Sequence, residues 1–390
     1  MLSLSQRIQR IEVSGTYRMV AEAAALRVHG IELADLGAGE PHFATPAHIC
    51  DAGISAIRQG FTRYTAGLGI AELCSAIAQR HHRDFATNYA AENVIVTPGG
   101  KFALFEALEC ILDPGDEVII PSPYWVSFKD IVEFTGAKCV FVESRESAGF
   151  VLDPDHIAAS ITARTRAIIL NSPSNPCGAV ADAETVRRIV ELAVVHDLTV
   201  IADECYAYLI YDRDRISAAS FSQQHVIVIG SLSKTYAMTG WRVGYALAPT
   251  NIIQAMQKLH SQSVTSVAAP MQRAALAAVT GPQECIAQMC AEYRRHRDLL
   301  WNELNRLAGI HCQLPDGAFY LYANVGAILR CNRWNSTELA SKLLHEAHLV
   351  CVPGSAFGTS EHLRFSYAAD ENTLRTAAQR LNAFLSTLQT

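Results

Sequence analysis

The stretch HVIVIGSLSKTYAMTGWRVGY at 225–245 changes character halfway along. Its first half is an unbroken Val/Ile run, the composition of a strand covered on both faces. Its second half holds two serines, Ser231 and Ser233, then Lys234, and eight residues on Arg242. Lysine is scarce here, six against 26 arginines among the 32 basic residues, so a lysine placed where a buried strand ends needs a reason.

Runs of the same kind recur at NVIVT (93–97), DEVIIP (116–121), AKCVFV (137–142), RAIILN (166–171) and LTVIAD (198–203). Between them lie helix-period segments such as KFALFEALECIL (101–112) and ETVRRIVELAVVHD (184–197). Strand–helix alternation predicts an α/β fold, a mainly parallel sheet with helices on both faces. Ligands of such sheets sit at the carboxyl ends of the strands. From about residue 284 the pattern changes to a long charged helix (290–309), short strands and a last helix near 371–387. The chain therefore divides, as an expectation, into a large domain at 48–284 and a smaller α+β domain made of 1–47 and 285–390.

Half of the 390 residues are hydrophobic and 18% are charged, and the net charge is −6. That balance gives no electrostatic case for nucleic acid or for an anionic membrane. The 11 cysteines are scattered without a CxxC pair, and the nearest two, Cys285 and Cys290, are five apart. Reduced thiols are expected, with neither a disulfide frame nor a zinc site. The N-terminus has no long apolar stretch of the secretory kind, and no run approaches the ~18 apolar residues of a membrane span. A cytoplasmic location is expected.

Chemistry-bearing residues fall where the strands end. PGGK (98–101) follows NVIVT and opens a helix, so its amides could receive a phosphate; a Gly-Gly turn there is also ordinary structure. Asp203 ends LTVIAD, with Tyr206 three residues later. A carboxylate in that place needs a cation or donors, or else it caps a helix. Ser231, Ser233 and Arg242 suit a phosphate. Lys234 beside them, in an apolar setting, suits attack on a carbonyl. Phosphate anchor, nucleophilic lysine and buried carboxylate together describe a site for pyridoxal 5′-phosphate, whose ring nitrogen needs an acid and whose aldehyde needs an amine.

With these residues in place the chain resembles the fold-type I, class I/II aminotransferases, in the branch of bacterial aspartate and prephenate aminotransferases. The resemblance runs through GAGEPHFATP (37–46), YTAGLG (64–69), GGKFALF (99–105), SPYWVSF (122–128), NSPSNPCGAV (171–180), ADECYAYLIYD (202–212), SLSKTYAMTGWRVGY (231–245), PDGAFY (315–320), VPGSAFG (352–358) and LRFSYA (363–368). It implies a seven-stranded sheet and transfer of an amino group between an L-amino acid and a 2-oxo acid. It implies that Lys234 carries the cofactor as a Schiff base and moves the proton. Asp203 would pair with the ring nitrogen, Tyr206 and Asn175 would bond the ring oxygen, and Trp125 would stack on the ring. Ser231, Ser233, Arg242 and the amides at Gly100 and Lys101 would hold the phosphate. Tyr64 would reach the phosphate of a neighbouring subunit, which implies a homodimer. Arg364 would clamp the substrate carboxylate near Asn175, Trp125 and Gly39.

Substrate choice is divided between two residues. In the resemblance Lys101 faces a second carboxylate, as of aspartate or glutamate. Glu12 stands where dicarboxylate-using relatives often have lysine, which disfavours such substrates. A further departure, Leu73-Cys74 for Leu-Arg, has no functional reading. At least one of the Ser122–Pro123 and Asn175–Pro176 bonds is expected to be cis. Two other functions remain open: lyase, cyclase or oxidase chemistry on a cationic or sulfur-containing amino acid, which Glu12 would suit, and a ligand-sensing regulator. The regulator would carry an added N-terminal DNA-binding domain, for which the sequence offers no basic helix-turn-helix.

Overall fold

All six Val/Ile runs are strands, each within one residue of the predicted ends. The computed structural model describes residues 3–11 and 15–388. Its main sheet has seven strands: β1 Val94–Thr97, β2 Glu117–Ser122, β3 Lys138–Glu143, β4 Thr165–Asn171, β5 Thr199–Asp203, β6 Val226–Ser231 and β7 Gly244–Leu247. Their order is β1-β7-β6-β5-β4-β2-β3. Five of them, β2 to β6, pair parallel, while β7 runs antiparallel to both β6 and β1.

Period-two alternation sends neighbouring residues of each strand to opposite faces. Val94, Val96, Ile168, Val200 and Val228 join one buried cluster, and Ile95, Ile169, Ile201 and Ile227 join the other. The first is covered by the helices Ala71–Phe85, Ala183–His196 and Ala269–Thr280, the second by Gly100–Ile111 and Thr250–Ser263. Burial on both faces is why these strands are so uniformly apolar. Each fully covered Val or Ile contributes about 1.5–3 kcal/mol to folding.

Strand β7 was not foreseen. GYAL is only four residues long, opens on Gly244 and is followed by Pro249 after a further alanine, so it has too little hydrophobic length to read as a strand. Its glycine is a requirement of packing: a Cβ at Gly244 would lie 2.3 Å from the Gly100 amide nitrogen.

A second sheet is antiparallel, built from β8 His311–Cys312, β9 Tyr320–Asn324, β10 Val352–Pro353 and β11 His362–Ser366 in the order β10-β11-β9-β8. Around it pack the helices Glu284–Asn305, Ser336–Glu346 and Glu371–Thr387. The long helix starts six residues before its expected position. Ala34–Asp35 pairs parallel with Leu349–Val350, and Met19, Ala23 and Leu36 share one buried cluster with Leu300, Phe365 and Leu381. The N-terminal segment and the last third of the chain thus close a common core.

The Ser122–Pro123 bond is cis, as expected. The second cis bond is Ser172–Pro173, not Asn175–Pro176.

Candidate active site

Thr97, Asn171, Asp203 and Ser231 are the last residues of β1, β4, β5 and β6, and they end along one edge of the sheet. The pairing register sets Asn171 beside Asp203 and Ser231 beside Gly244. Because β7 is antiparallel, the chain that leaves β6 at Ser231 must return to the same edge before β7 begins. That return carries Lys234 and Arg242 to the strand ends.

A cavity of about 380 Å3 opens there. Twelve of the residues singled out in the sequence line it: Gly39, Gly100, Lys101, Trp125, Asn175, Asp203, Tyr206, Ser231, Ser233, Lys234, Arg242 and Arg364. Tyr64 does not; its side chain is 88% exposed on the surface. Glu12 lies outside the described residues.

One end of the cavity is a cradle of amides and hydroxyls. Gly99 has φ +88°, and a Cβ there would meet the Arg242 guanidinium at 2.4 Å, so only glycine allows the turn. The amides of Phe102 and Ala103 donate back to the Gly99 carbonyl. Those of Gly100 and Lys101 start the helix and have no acceptor within it. The Ser233 amide donates to Ser231 Oγ at 3.1 Å, and Arg242 is held by the Thr239 carbonyl at 2.8 Å.

At the centre, Lys234 donates to the Gly39 carbonyl. Burial lowers its pKa to about 8, against the smaller opposing pulls of Cys205 and Glu40. A lysine in that range has an appreciable neutral fraction at physiological pH. Asp203 is 5% exposed and accepts the Cys205 amide at 3.1 Å. Among the described residues no cation makes an ion pair with it, and burial pushes its pKa up. A carboxylate in such a position calls for a cationic partner.

Arg364, on β11, is 2% exposed. It donates to Asn175 Oδ1 at 2.9 Å and to the Gly37 carbonyl at 3.0 Å, while its Nε is buried with no acceptor. Lys101 is exposed by surface area, being open to the cavity, with its ammonium 4.8 Å from the Trp125 ring centre. Crowding by the protein, and Arg242 after it, lower the Lys101 pKa. Four basic side chains, Lys101, Lys234, Arg242 and Arg364, therefore line the cavity with one buried carboxylate, Asp203. None makes an ion pair with an acid among the described residues. A cavity charged in this way fits a ligand with more than one anionic group.

Seven lining residues had no role in the sequence reading, and three of them, Tyr320, Asn171 and Cys205, bear on its chemistry. Tyr320 bonds Tyr206 hydroxyl to hydroxyl at 2.7 Å and lies under the Arg364 guanidinium at 4.3 Å. Its motif, PDGAFY, was visible, but nothing in it says which side chain turns inward. Asn171 accepts the Asn175 amide at 2.8 Å and donates to the Asp203 carbonyl at 3.2 Å, joining two strand ends. A polar residue closing the run RAIILN was its only signal. Cys205 sits on the cavity floor, and burial, then Asp203, raise its thiol pKa well above the ordinary value, so it is no nucleophile.

Residues 31–381 match the family "Aminotransferase class I and II". The aspartate/prephenate aminotransferase of Nitrosomonas europaea is 40% identical over 99% of this chain and 100% of its own length. The structure of the Thermus thermophilus aspartate aminotransferase with maleate superposes with a TM-score of 0.95 at 40% identity, covering 98% of this chain and 100% of that one. The alanine aminotransferase from Pyrococcus furiosus superposes nearly as well, with a TM-score of 0.93 at 31% identity over 99% and 100%. With these likenesses spanning almost its whole length, the chain belongs to the class I and II aminotransferase family.

Proposed function

We propose that the cavity holds pyridoxal 5′-phosphate and that the enzyme moves the amino group of an acidic L-amino acid, aspartate or glutamate, to a 2-oxo acid such as 2-oxoglutarate. The residues present fit the cofactor. The glycine turn at 99–100 leaves room only for backbone, with Arg242 and Ser231 close enough to meet any Cβ. Gly100, Lys101, Ser231, Ser233 and Arg242 would hold the phosphate, Asp203 the ring nitrogen, Tyr206 and Asn175 the ring oxygen, and Trp125 would cover the ring. When bound, the cofactor supplies a carbonyl carbon for the amino group and an electron-withdrawing ring.

The protein's own part is positioning and proton transfer. Lys234, neutral in part because it is buried, can take a proton at Nζ from the substrate Cα and return it two atoms away, across the amino nitrogen. Burial disfavours the charge on Asp203, and a protonated ring nitrogen would favour it. Tyr320 holds Tyr206 and so orients its hydroxyl. Arg364 carries the proposal: a buried guanidinium with one orphaned N–H and no carboxylate partner is built for a carboxylate ligand.

Which carboxylate substrates react cannot come from the fold, since aspartate and alanine enzymes superpose on it almost equally. With Glu12 outside the described residues, preference rests on Lys101. Its ammonium would add about 1.5–3 kcal/mol to binding a second carboxylate, roughly 10–150-fold in specificity. Lys101→Ala is expected to lower kcat/KM for aspartate by about tenfold or more and to spare alanine. The reading as a whole is tested by mixing the cofactor-loaded protein with each amino acid in a single turnover. Aspartate and glutamate should be the fastest donors, and a preference for arginine, lysine or an aromatic donor would overturn it.

A homodimer follows from the same reading. Tyr64, exposed and not among the residues lining its own cavity, would reach the phosphate of a partner. Hybrids of Tyr64→Phe and Asp203→Ala subunits are expected to differ in cofactor affinity from either parent. A fully active monomer in sedimentation would refute this. The division at 48–284 against 1–47 with 285–390 would let Arg364 close on substrate bound at Lys234. No helix among the described residues is long and apolar enough to cross a membrane, in keeping with a cytoplasmic enzyme.

A further inference from the structure

Away from the cavity, three side chains of metal-binding type meet. On the helix Glu284–Asn305, Glu292 and His296 are four residues apart and share a face. Against that face lies His42, 250 residues earlier than Glu292. His42 Nε2 is 3.0 Å from Glu292 Oε1, and His296 Nε2 is 3.9 Å from the same oxygen. One ligand atom from each lies within 4.8 Å of the other two. The two imidazole rings are 5.4 Å apart between centres and 34° from parallel.

A hydrogen bond from His42 to Glu292 explains only part of this. The 3.9 Å separation is too long for a hydrogen bond from His296, yet that ring is 3% exposed and has little water to turn to. Its other nitrogen, Nδ1, is buried with no well-formed hydrogen bond, beside the Tyr367 backbone. A histidine ligand often has such a backbone group behind it, which leaves Nε2 facing the metal.

We propose that His42, Glu292 and His296 form a binding site for a divalent transition-metal ion, with zinc as the best-suited metal. Zinc takes two imidazoles and a carboxylate at about 2.0–2.2 Å in a tetrahedron, whose ligand atoms stand roughly 3.3 Å apart. The observed 3.0 and 3.9 Å bracket that spacing. His42 and Glu292 are both partly exposed, which leaves a fourth position open to water. Nitrogen donors disfavour magnesium and calcium. Two charged neighbours act on the site: Arg295 stands 3.7 Å from Glu292 Oε2 and competes for it, while Glu371, bonded to Arg375, is near enough to interact with His296. The site is three residues along the chain from Gly39, whose carbonyl accepts the Lys234 amine. It does not depend on the cofactor or on the substrate reading.

The test is a titration of the cofactor-loaded enzyme, dialysed free of metal, with cobalt followed by its difference absorption and then with zinc by calorimetry. One equivalent per chain is expected, with the intense visible bands of tetrahedral cobalt, displaced by zinc. His42→Asn and Glu292→Gln, both partly exposed and outside the cavity, should weaken binding by at least the roughly 100-fold that a lost outer partner can cost. Arg295→Gln should tighten it. No stoichiometric binding to the native enzyme, or equal affinity in His42→Asn and Glu292→Gln, overturns the proposal; the second result would assign the metal to cysteines such as the exposed Cys331.

Discussion

Lys234→Ala is expected to fold, to keep the cavity and to lose steady-state transamination by several orders of magnitude. The loss of the acid/base group alone costs roughly 10²–10⁴-fold, and in the proposed reading the same amine is also the nucleophile toward the cofactor. A coupled assay of oxo-acid formation measures it, and near-normal turnover would sink the assignment. The same lysine has a signature in stability. Its pKa falls from 10.5 to about 8 on folding, so the fold disfavours the ammonium. The penalty is full below about pH 8, where both states are protonated, and disappears as pH rises through 10.5, where both are neutral. In cofactor-free protein, Lys234→Met should therefore be more stable than the native chain near pH 7 by about 3 kcal/mol. That advantage should fade between pH 8 and 10.5 in urea melts; a difference independent of pH would contradict the burial of the amine.

Arg364→Leu is the second large effect. Two charge-assisted bonds to a carboxylate are together worth about 3–6 kcal/mol, so kcat/KM for every amino acid donor should fall by roughly 10²–10⁴-fold. The substrate-free protein should lose little stability, because the removed guanidinium is buried without an anion. Arg364→Lys should recover only part of the activity, since an ammonium replaces the charge and not the fork. If Arg364→Leu kept its kcat/KM while its melting temperature collapsed, Arg364 would be a structural residue that braces Asn175.

The sheet was legible because six of its strands announce themselves as apolar runs, five of them buried on both faces, while β3, at the sheet edge, is largely half-buried or exposed. Strand β7 was not, because it is short and its first residue is a glycine fixed by the backbone of Gly99 and Gly100. The cavity was legible at strand ends, where Asp203, Ser231 and Lys234 break an apolar pattern. Tyr320 and Asn171 were hidden for a different reason. Tyr320 acts through Tyr206, 114 residues away, and Asn171 joins its neighbour Asn175 to Asp203, 32 residues on; a single sequence carries no trace of the long-range pairings. The cluster at His42 was hidden in the same way. Spacing rules for zinc look for ligands close in sequence, and only Glu292 and His296 satisfy that.

Strand β1 has one neighbour in the sheet, and that neighbour is β7. On a growing chain Val94–Thr97 emerges early and then waits for its sheet partner, with the Val96 amide bonded to the earlier Leu68 carbonyl, until Gly244–Leu247 has been made. Strands β2 to β6 can assemble in the interval, since each pairs with a strand close to it in sequence order. The last insertion must thread an antiparallel strand between β6 and β1, a long-range closure of the kind that slows folding and leaves edges open to other chains. A nascent chain arrested before residue 244 is therefore the species in which this protein is most exposed to aggregation, and the cradle of amides and hydroxyls, made from both sides of that seam, is among the last features to form.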